Sequence, residues 1–379
     1  MSEVEWARQF SLPAADMDPA ILDVVAGTYG AAVAAALLEH CHAEIAAATS
    51  GVVEMIDAWS RQPPSFRTSW HEAFGQAELA IAGESDPVAA AVAIALRLTE
   101  LGYDGHWHAR IPHTHLRVAG MPLGIVERIE ASPTAIVADG VQFRFQDGGW
   151  TAADRRPRLE SVGWDSRIWL LDAATAPQFD AVTPLAVVTP QATEDFRHAL
   201  DLAERLGYRP WIETVLRALV VAEKEDTTRM ASGSTVALSG VVAISHPASL
   251  FDILETLVHE CAHQYFHLLS RYGAFDDGSD TAHYWSPAAR AMRPVHRILV
   301  AYHAMANVVV LFDAMREAAV ADDGYVDRNI GTVLRKVREL DAPLRGNPAL
   351  TALGRALYEP LAERVQHLQT GHPSAGRSA

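Results

Sequence analysis

The segment Leu257–Gln264 carries the pattern HExxH, in which His259 and His263 flank Glu260. Residues four apart lie on the same face of an α-helix, so both imidazoles can reach one metal ion if this segment is helical. The glutamate between them can act as a general base or hold the site through hydrogen bonds. The pattern therefore predicts a helix that binds a metal ion.

The residues around the motif favour a buried helix with a defined start. Ser249 and Asp252 fit a capping box, with Ser249 as the N-cap and Asp252 three residues later. Apolar residues then recur at helical spacing and predict a buried stripe beside the two histidines. The residues of this stripe are Leu254, Val258, Cys261, Tyr265, Leu268 and Leu269.

The residues that follow the motif restrict the class of metal site. The metzincin pattern requires Gly and His three and six residues after the second histidine, where this chain has Phe266 and Leu269. The gluzincin pattern requires a glutamate on a following helix, but no Glu occurs between Glu260 and Glu317. An aspartate ligand of the aspzincin type remains open in segment 276–280, although such an Asp-rich segment is more typical of a solvated turn.

Histidine is the better source of a third ligand. Pro294 fits the first position of a second helix, predicted over about 295–319. His303 lies among the apolar residues of that helix, and an unpaired buried polar group costs about 1–3 kcal/mol. We therefore predict that His303 is the third ligand. His296, on nearly the same face of the helix, is the first alternative and His283 the second.

Segments around the HExxH helix resemble the HExxH-motif proteins of bacterial gene clusters for ribosomally made peptide natural products. The resemblance covers about residues 190–320. It implies an iron(II)- and α-ketoglutarate-dependent hydroxylase that acts on a side chain, at the β-carbon, of a ribosomally synthesised precursor peptide. The matching segments are Gly240–Ser245, Thr256–His263, Trp285–Pro287, Arg293–Pro294 and Tyr302–His303.

Under this resemblance, three histidines hold iron(II) and leave open positions for α-ketoglutarate and the cosubstrate O2. The distal carboxylate of α-ketoglutarate needs a cation, and arginine is a natural bidentate partner. Arg293 is the predicted partner, with Arg297 as the alternative. Glu260 would then orient a ligand or a water molecule by hydrogen bonding.

Two other functions remain open. The first is a zinc metallopeptidase, in which Glu260 would be the general base that activates water. The second is a non-catalytic scaffold that binds a precursor peptide and carries a vestigial metal helix. The two enzymatic functions require different metals, and the HExxH motif alone does not choose between iron and zinc.

Composition restricts the partners and the compartment. The net charge of −16 argues against nucleic acid and weakly favours a neutral or basic peptide. Only Cys41 and Cys261 are present, far apart, so we expect a reducing cytoplasm without disulfide bonds. Glu3 and Glu5 do not fit a signal peptide. The uncharged segment Val24–Leu38 is too short to span a membrane and predicts a buried helix. The oligomeric state stays open.

The chain as a whole predicts an α+β fold that is predominantly α. Residues 1–105 are rich in Ala and predict a helical region, with a break at 61–64 and a new helix starting at Asp86-Pro87. Residues 106–190 predict a small β-rich region. Residues 191–370 predict the metal-binding region with a zincin-like core of two helices, and residues 371–379 a disordered tail.

The β-rich region carries one clear hairpin. Asp139-Gly140 separates two apolar segments, 136–138 and 141–145, and this dipeptide is typical of a two-residue hairpin turn. Further strands are predicted at 164–171 and 186–188, and another at 236–244 before the metal helix.

A second group of histidines lies at the start of this region. They are His106, His108, His113 and His115. Residues two apart share a strand face, so each pair has a geometry that can bind a metal such as zinc. No Cys or acidic partner accompanies them at a recognisable spacing, so we expect a polar strand face without a ligand role.

Overall fold

A computed structural model describes most of the chain. The described residues are 2–13, 19–62, 70–118, 121–146, 149–152, 161–162, 168–172, 184–224, 232–235, 238–322 and 324–371. The protein is a mixture of α and β structure in which helix predominates, as predicted. The tail 372–379 lies outside the described residues.

The described residues form eleven helices and thirteen strands. The helices are α1 (Glu3–Ser11), α2 (Pro19–Ala48), α3 (Val52–Ser60), α4 (Glu72–Ile81), α5 (Pro87–Glu100), α6 (Pro190–Arg205), α7 (Arg209–Val215), α8 (Leu250–Leu269), α9 (Val295–Glu317), α10 (Tyr325–Asp341) and α11 (Ala352–Gly371). The strands are β1 (Thr49–Ser50), β2 (Trp107–Val118), β3 (Met121–Ser132), β4 (Ala135–Ala138), β5 (Val141–Gln146), β6 (Gly149–Ala152), β7 (Ser161–Val162), β8 (Ile168–Leu171), β9 (Ala218–Glu223), β10 (Ser232–Gly233), β11 (Val241–His246), β12 (Tyr284–Ser286) and β13 (Ala291–Arg293).

The chain divides into two compact units, and each is discontinuous in sequence. Unit 1 comprises Met1–Met17, Asp195–Thr214 and Ala248–Ala379, whereas unit 2 comprises Asp18–Glu194 and Val215–Pro247. The regions expected from the sequence are distributed between them. The first residues of the region 1–105 belong to unit 1 and the rest to unit 2, and the region 191–370 is divided as well.

Unit 2 contains a six-stranded antiparallel sheet with the strand order β1-β2-β3-β4-β5-β6. The predicted hairpin is confirmed as β4 and β5. Its turn residues Asp139 and Gly140 have φ of 43° and 84°, as a type I′ turn requires. The Asp139 carboxylate also accepts hydrogen bonds of 2.9 Å from the backbone N–H groups of Glu127 and Arg128 in β3.

A second sheet in unit 2 has the order β10-β11-β9-β8-β7, with β8, β9 and β11 parallel. The first five residues of β9 are all buried, which is typical of a parallel strand covered on both faces. The strand predicted at 186–188 is wrong, because only Leu185 pairs there, in an isolated bridge to Ala222. Parts of the other two predicted strands, 163–167 and 236–237, lie outside the described residues.

In unit 1, helix α8 begins as the sequence predicts. The Ser249 hydroxyl accepts a hydrogen bond from the backbone N–H of Asp252 at 3.1 Å, and the Asp252 carboxylate accepts one from the backbone N–H of Ser249 at 3.3 Å. All six residues of the predicted apolar stripe are buried. The capping box and the stripe therefore fix where this helix starts and which face it buries.

Helix α9 packs against α8, α10 and α11, and α1 packs against α11. Its start agrees with the predicted range, although Pro294 does not occupy the first helical position. Pro294 is the N-cap, with an extended ψ of 161°, so the first helical residue is Val295. The interior of α9 is buried, as its apolar residues predict.

His303 links α9 to α1 and α8. Its Nδ1 lies 3.1 Å from the backbone oxygen of Ala262, and its Nε2 lies 3.0 Å from that of Phe10. One turn later, the Asn307 amide donates a hydrogen bond to the backbone oxygen of Ser11 at 3.2 Å. Burial lowers the pKa of His303 to about 4, so the ring is neutral at pH 7 and has one N–H to share between two carbonyl oxygens.

Among the residues that the structure describes, two helices are long and apolar enough to cross a membrane. One is Val24–Ala48 within α2, which contains the predicted segment Val24–Leu38, and the other is α9. Most of α9 is buried within the protein, as in the core helix of a globular domain, whereas less than half of Val24–Ala48 is buried. These helices are weak evidence for a membrane protein.

Replacement of His303 tests its structural contacts. His303→Leu removes the buried ring whose nitrogens face the Phe10 and Ala262 carbonyl oxygens, and we expect the free energy of unfolding to fall by about 1–3 kcal/mol. The measurement is urea denaturation of the metal-free protein. His296→Leu is the control, because it removes a partly exposed ion pair with Asp276 and should cost less than about 1 kcal/mol. Equal stability of the two variants would contradict this role.

Candidate metal centre

Helix α8 brings His259 and His263 together. Their Nε2 atoms lie 3.1 Å apart, and the two rings are nearly perpendicular, at 87°. A metal–nitrogen bond is about 2.0–2.1 Å long, so one ion can reach two nitrogens at this separation. The spacing of the motif thus produces a pair of donors suited to one metal ion.

Burial keeps both imidazoles neutral. It lowers the pKa of His259 and, together with the neighbouring His259 ring, lowers that of His263 to about 4. A metal binds the neutral ring, so neither histidine must lose a proton near pH 7 before it can act as a ligand. Both rings are still partly accessible to solvent, which leaves them open to an entering ion.

Glu260 completes the group. Its side chain is buried, and its carboxylate lies within 4.8 Å of the ligand nitrogens of both histidines. In the described part of the chain, these three residues are the one cluster of His, Cys, Asp and Glu side chains close enough to hold a metal ion. A buried carboxylate at this distance can orient a ligand or take a proton from water.

The polar face of α8 extends beyond the motif in both directions. Glu255 and His267 continue the four-residue spacing of His259 and His263. His267 stacks on His263, with ring centroids 6.4 Å apart, and burial lowers its pKa to about 3. At the other end, the Tyr325 hydroxyl donates to the Glu255 carboxylate at 2.7 Å. Burial raises the pKa of Glu255.

The structure does not place the candidate third ligands in this group. Both ring nitrogens of His303 face backbone carbonyl oxygens, so coordination would require it to exchange one of these contacts. His296 pairs with Asp276, with Nδ1 and Oδ2 3.2 Å apart, and His283 is exposed. Asp277 is exposed as well, as expected for a solvated turn.

The two candidate arginines differ in their relation to the site. Arg293 ends strand β13, opposite Tyr284, and its side chain is exposed. Arg297, in the first turn of α9, is also exposed, but its positive charge contributes to the lowered pKa of His267. Arg271 has the same effect. Arg271 and Arg297 therefore bring positive charge to the His267 end of the polar face.

The second group of histidines forms no comparable cluster among the described side chains. His106 precedes β2, and its side chain is exposed. His108 and His115 lie in β2 and are exposed too, while the side chain of His113 lies outside the described residues. This arrangement agrees with a solvated strand face.

The donor set fits a divalent first-row metal. Two neutral imidazoles and a nearby carboxylate suit iron, zinc, copper or nickel, so the residues alone do not select one of these ions.

Sequence reasoning missed the links of Tyr325 and Arg271 to the ends of this polar face. The four-residue spacing of Glu255 and His267 to the motif was the available signal, whereas Tyr325 arrives from a different helix.

No protein-family model matches this chain, and the search of curated proteins found no match. The conclusions about this site therefore depend on the residues described above.

Proposed function

We propose that this protein is an iron(II)- and α-ketoglutarate-dependent oxygenase, a dioxygenase that hydroxylates a peptide. Its substrate would be a side chain, at the β-carbon, of a ribosomally synthesised precursor peptide in the cytoplasm. The observation that supports metal binding in this proposal is the 3.1 Å separation of the His259 and His263 Nε2 atoms on one helix face. The choice of reaction rests on the resemblance of residues 190–320 to peptide hydroxylases.

His259 and His263 would hold the metal in a zincin-like core formed by α8 and α9. His303 is the third ligand that the sequence predicts. Its Nε2 would have to exchange the Phe10 carbonyl for the metal, since both ring nitrogens have backbone partners. Two or three protein ligands leave room for a bidentate cosubstrate, as in other non-haem iron oxygenases.

Iron(II) and α-ketoglutarate, when bound, supply the oxidation of a C–H bond by O2, with release of succinate and CO2. The residues of this chain would hold the metal and orient its ligands and the cosubstrate. Glu260 would fix a ligand ring or a water molecule by a hydrogen bond from its buried carboxylate. Arg293, the partner that the sequence predicts, would bind the distal carboxylate of the cosubstrate, with Arg297, whose charge acts on His267, as the alternative.

A zinc metallopeptidase is the second candidate. The observation that favours it is the position of the Glu260 carboxylate within 4.8 Å of both histidine nitrogens, where a general base is needed. The sequence that follows does not supply the glutamate ligand of thermolysin-like peptidases. A non-catalytic scaffold is the third candidate, and it requires a helix that binds no metal.

Removal of either motif histidine should abolish metal binding. His259→Ala and His263→Ala each take away one of the two converging nitrogens, and we expect less than about a tenth of the wild-type iron occupancy. Loss of a residue that only supports a ligand already lowers metal affinity by about 10–100-fold, and loss of the ligand itself should lower it further. The measurement is anaerobic titration with iron(II). His267→Ala, on the same helix face, is the matched control and should retain full occupancy. Full occupancy in His259→Ala or His263→Ala would contradict the assignment.

Glu260→Gln separates the two enzymatic functions. An oxygenase should retain α-ketoglutarate turnover to within about tenfold, whereas a peptidase that loses its general base should fall by about 10²–10⁴-fold. The measurements are succinate formation from α-ketoglutarate with iron(II) and O2 in the absence of a peptide, and peptide cleavage with zinc. Glu255→Gln is a matched control on the same helix. Absence of succinate formation by the iron-loaded wild type, together with zinc-dependent peptide cleavage that Glu260→Gln abolishes, would favour hydrolysis.

The pH dependence of metal binding tests the burial of the ligands. Because the pKa of His263 is lowered to about 4, protons should compete with the metal only near that pH. Iron(II) occupancy should therefore be constant from about pH 8 to pH 6 and fall as the pH approaches 4, in contrast to exposed histidines with a pKa of about 6.5. Half-loss of iron near pH 6.5 would show that the ligands are solvated.

A further inference from the structure

Unit 2 contains a pocket that is built from residues outside the metal centre. Its volume is about 380 Å³, within the size range of small-molecule sites. The first turn of α4, one face of α5 and the second half of β2 form part of the wall. Residues of β8 and β9 in the parallel sheet form the rest.

Most of the pocket wall is small or apolar. Ala89 and Ala93, four residues apart, face the pocket from α5, and both are partly accessible. Trp169 and Leu171 of β8 contribute a large apolar surface from the sheet, and Leu238 adds to it. A ligand with an apolar body would remove these surfaces from water, which stabilises binding by about 25 cal/mol per Å² of buried apolar area.

One end of the pocket is rich in arginine. Arg97, Arg117 and Arg217 line it, and the positive charge of each contributes to lowering the pKa of His71. Two carboxylates lie in the same region. Glu72 forms an ion pair with Arg117, and Glu100 forms one of 3.3 Å with Arg97. Arg217 adds a third guanidinium group to this lining, and it also donates a hydrogen bond to the backbone oxygen of Leu216 at 2.8 Å.

His71 adds a hydrogen-bond donor to the same end. Its Nδ1 accepts a hydrogen bond from the backbone N–H of Ala73 at 3.3 Å, so a neutral ring carries its proton on Nε2. Burial, strengthened by the three arginines, lowers the pKa of His71 well below its usual range and keeps the ring neutral. The third carboxylate of the lining, Asp86, caps the start of α5. With a helical rise of 1.5 Å per residue, it lies about 16 Å from Arg97 along the helix axis.

We infer that this pocket binds a ligand that combines a carboxylate with an apolar body. The carboxylate would lie among Arg97, Arg117 and Arg217, because guanidinium groups bind carboxylates through paired, charge-assisted hydrogen bonds. The apolar body would lie along Ala89 and Ala93 and against Trp169. The ligand is either a free organic acid or a peptide that presents its C-terminal carboxylate after an apolar residue. This inference does not depend on the proposed oxygenase function.

Isothermal titration calorimetry with the full-length protein tests the carboxylate requirement. The probes are 3-phenylpropanoate and its neutral isostere 3-phenylpropanamide, followed by the tripeptide acetyl-Ala-Ala-Phe with a free or an amidated C-terminus. We expect each carboxylate to bind at least about tenfold more tightly than its amide, as the loss of a charge-assisted hydrogen bond predicts. Tighter binding of the tripeptide acid than of 3-phenylpropanoate identifies a peptide ligand, and the reverse identifies a free organic acid.

Two variants locate the binding in this pocket. Arg217→Met keeps an apolar stem but removes the charge. It should weaken binding of the two carboxylate probes about tenfold or more and leave binding of the two amides unchanged. Arg110→Met, at an exposed position of β2, is the matched control and should bind like the wild type. Ala93→Leu fills the pocket and should weaken all four probes. Equal binding of acid and amide, no binding of either acid, or unchanged binding in both Arg217→Met and Ala93→Leu would overturn the inference.

Discussion

The proposed metal centre depends on the approach of two imidazole nitrogens, Nε2 of His259 and Nε2 of His263, to 3.1 Å. This approach follows from helical geometry, because side chains four residues apart are stacked on one face. The geometry requires a rigid helix, and α8 is held by its capping box at Ser249 and by a fully buried apolar stripe. Anything that frays this helix or rotates it would separate the two nitrogens.

Burial gives the site its second property, which is that its histidines are neutral. Desolvation penalises the charged ring, so the pKa values of His259, His263 and His267 are all lowered. Glu260 is enclosed beside them, so its carboxylate is held in a fixed position. The middle of the polar face of α8 could thus hold a metal ion, and the charges of Arg271 and Arg297 act near its His267 end.

Local features of the fold were predictable from sequence because their causes are local. The capping box of α8, the Asp139-Gly140 turn and the burial of His303 each follow from residues within a few positions. The partner of His303 was not predictable, since Phe10 lies 293 residues earlier in the chain. Strand β9 was missed for a similar reason, because its continuous apolar sequence acquires meaning only from the parallel neighbours β8 and β11. The pocket of unit 2 could not be found either, as its arginines come from separate elements.

The central claim is that His259 and His263 share one metal ion, and an anomalous X-ray difference map of crystals grown anaerobically with iron(II) tests it most directly. Data collected above and below the iron edge locate the ion without reference to any assumed ligand. We expect a single strong peak within about 2.2 Å of both Nε2 atoms, near the metal–nitrogen distances seen for histidine ligands. A peak at another group of side chains, or no peak at α8 in crystals grown with iron(II), would contradict a shared metal ion.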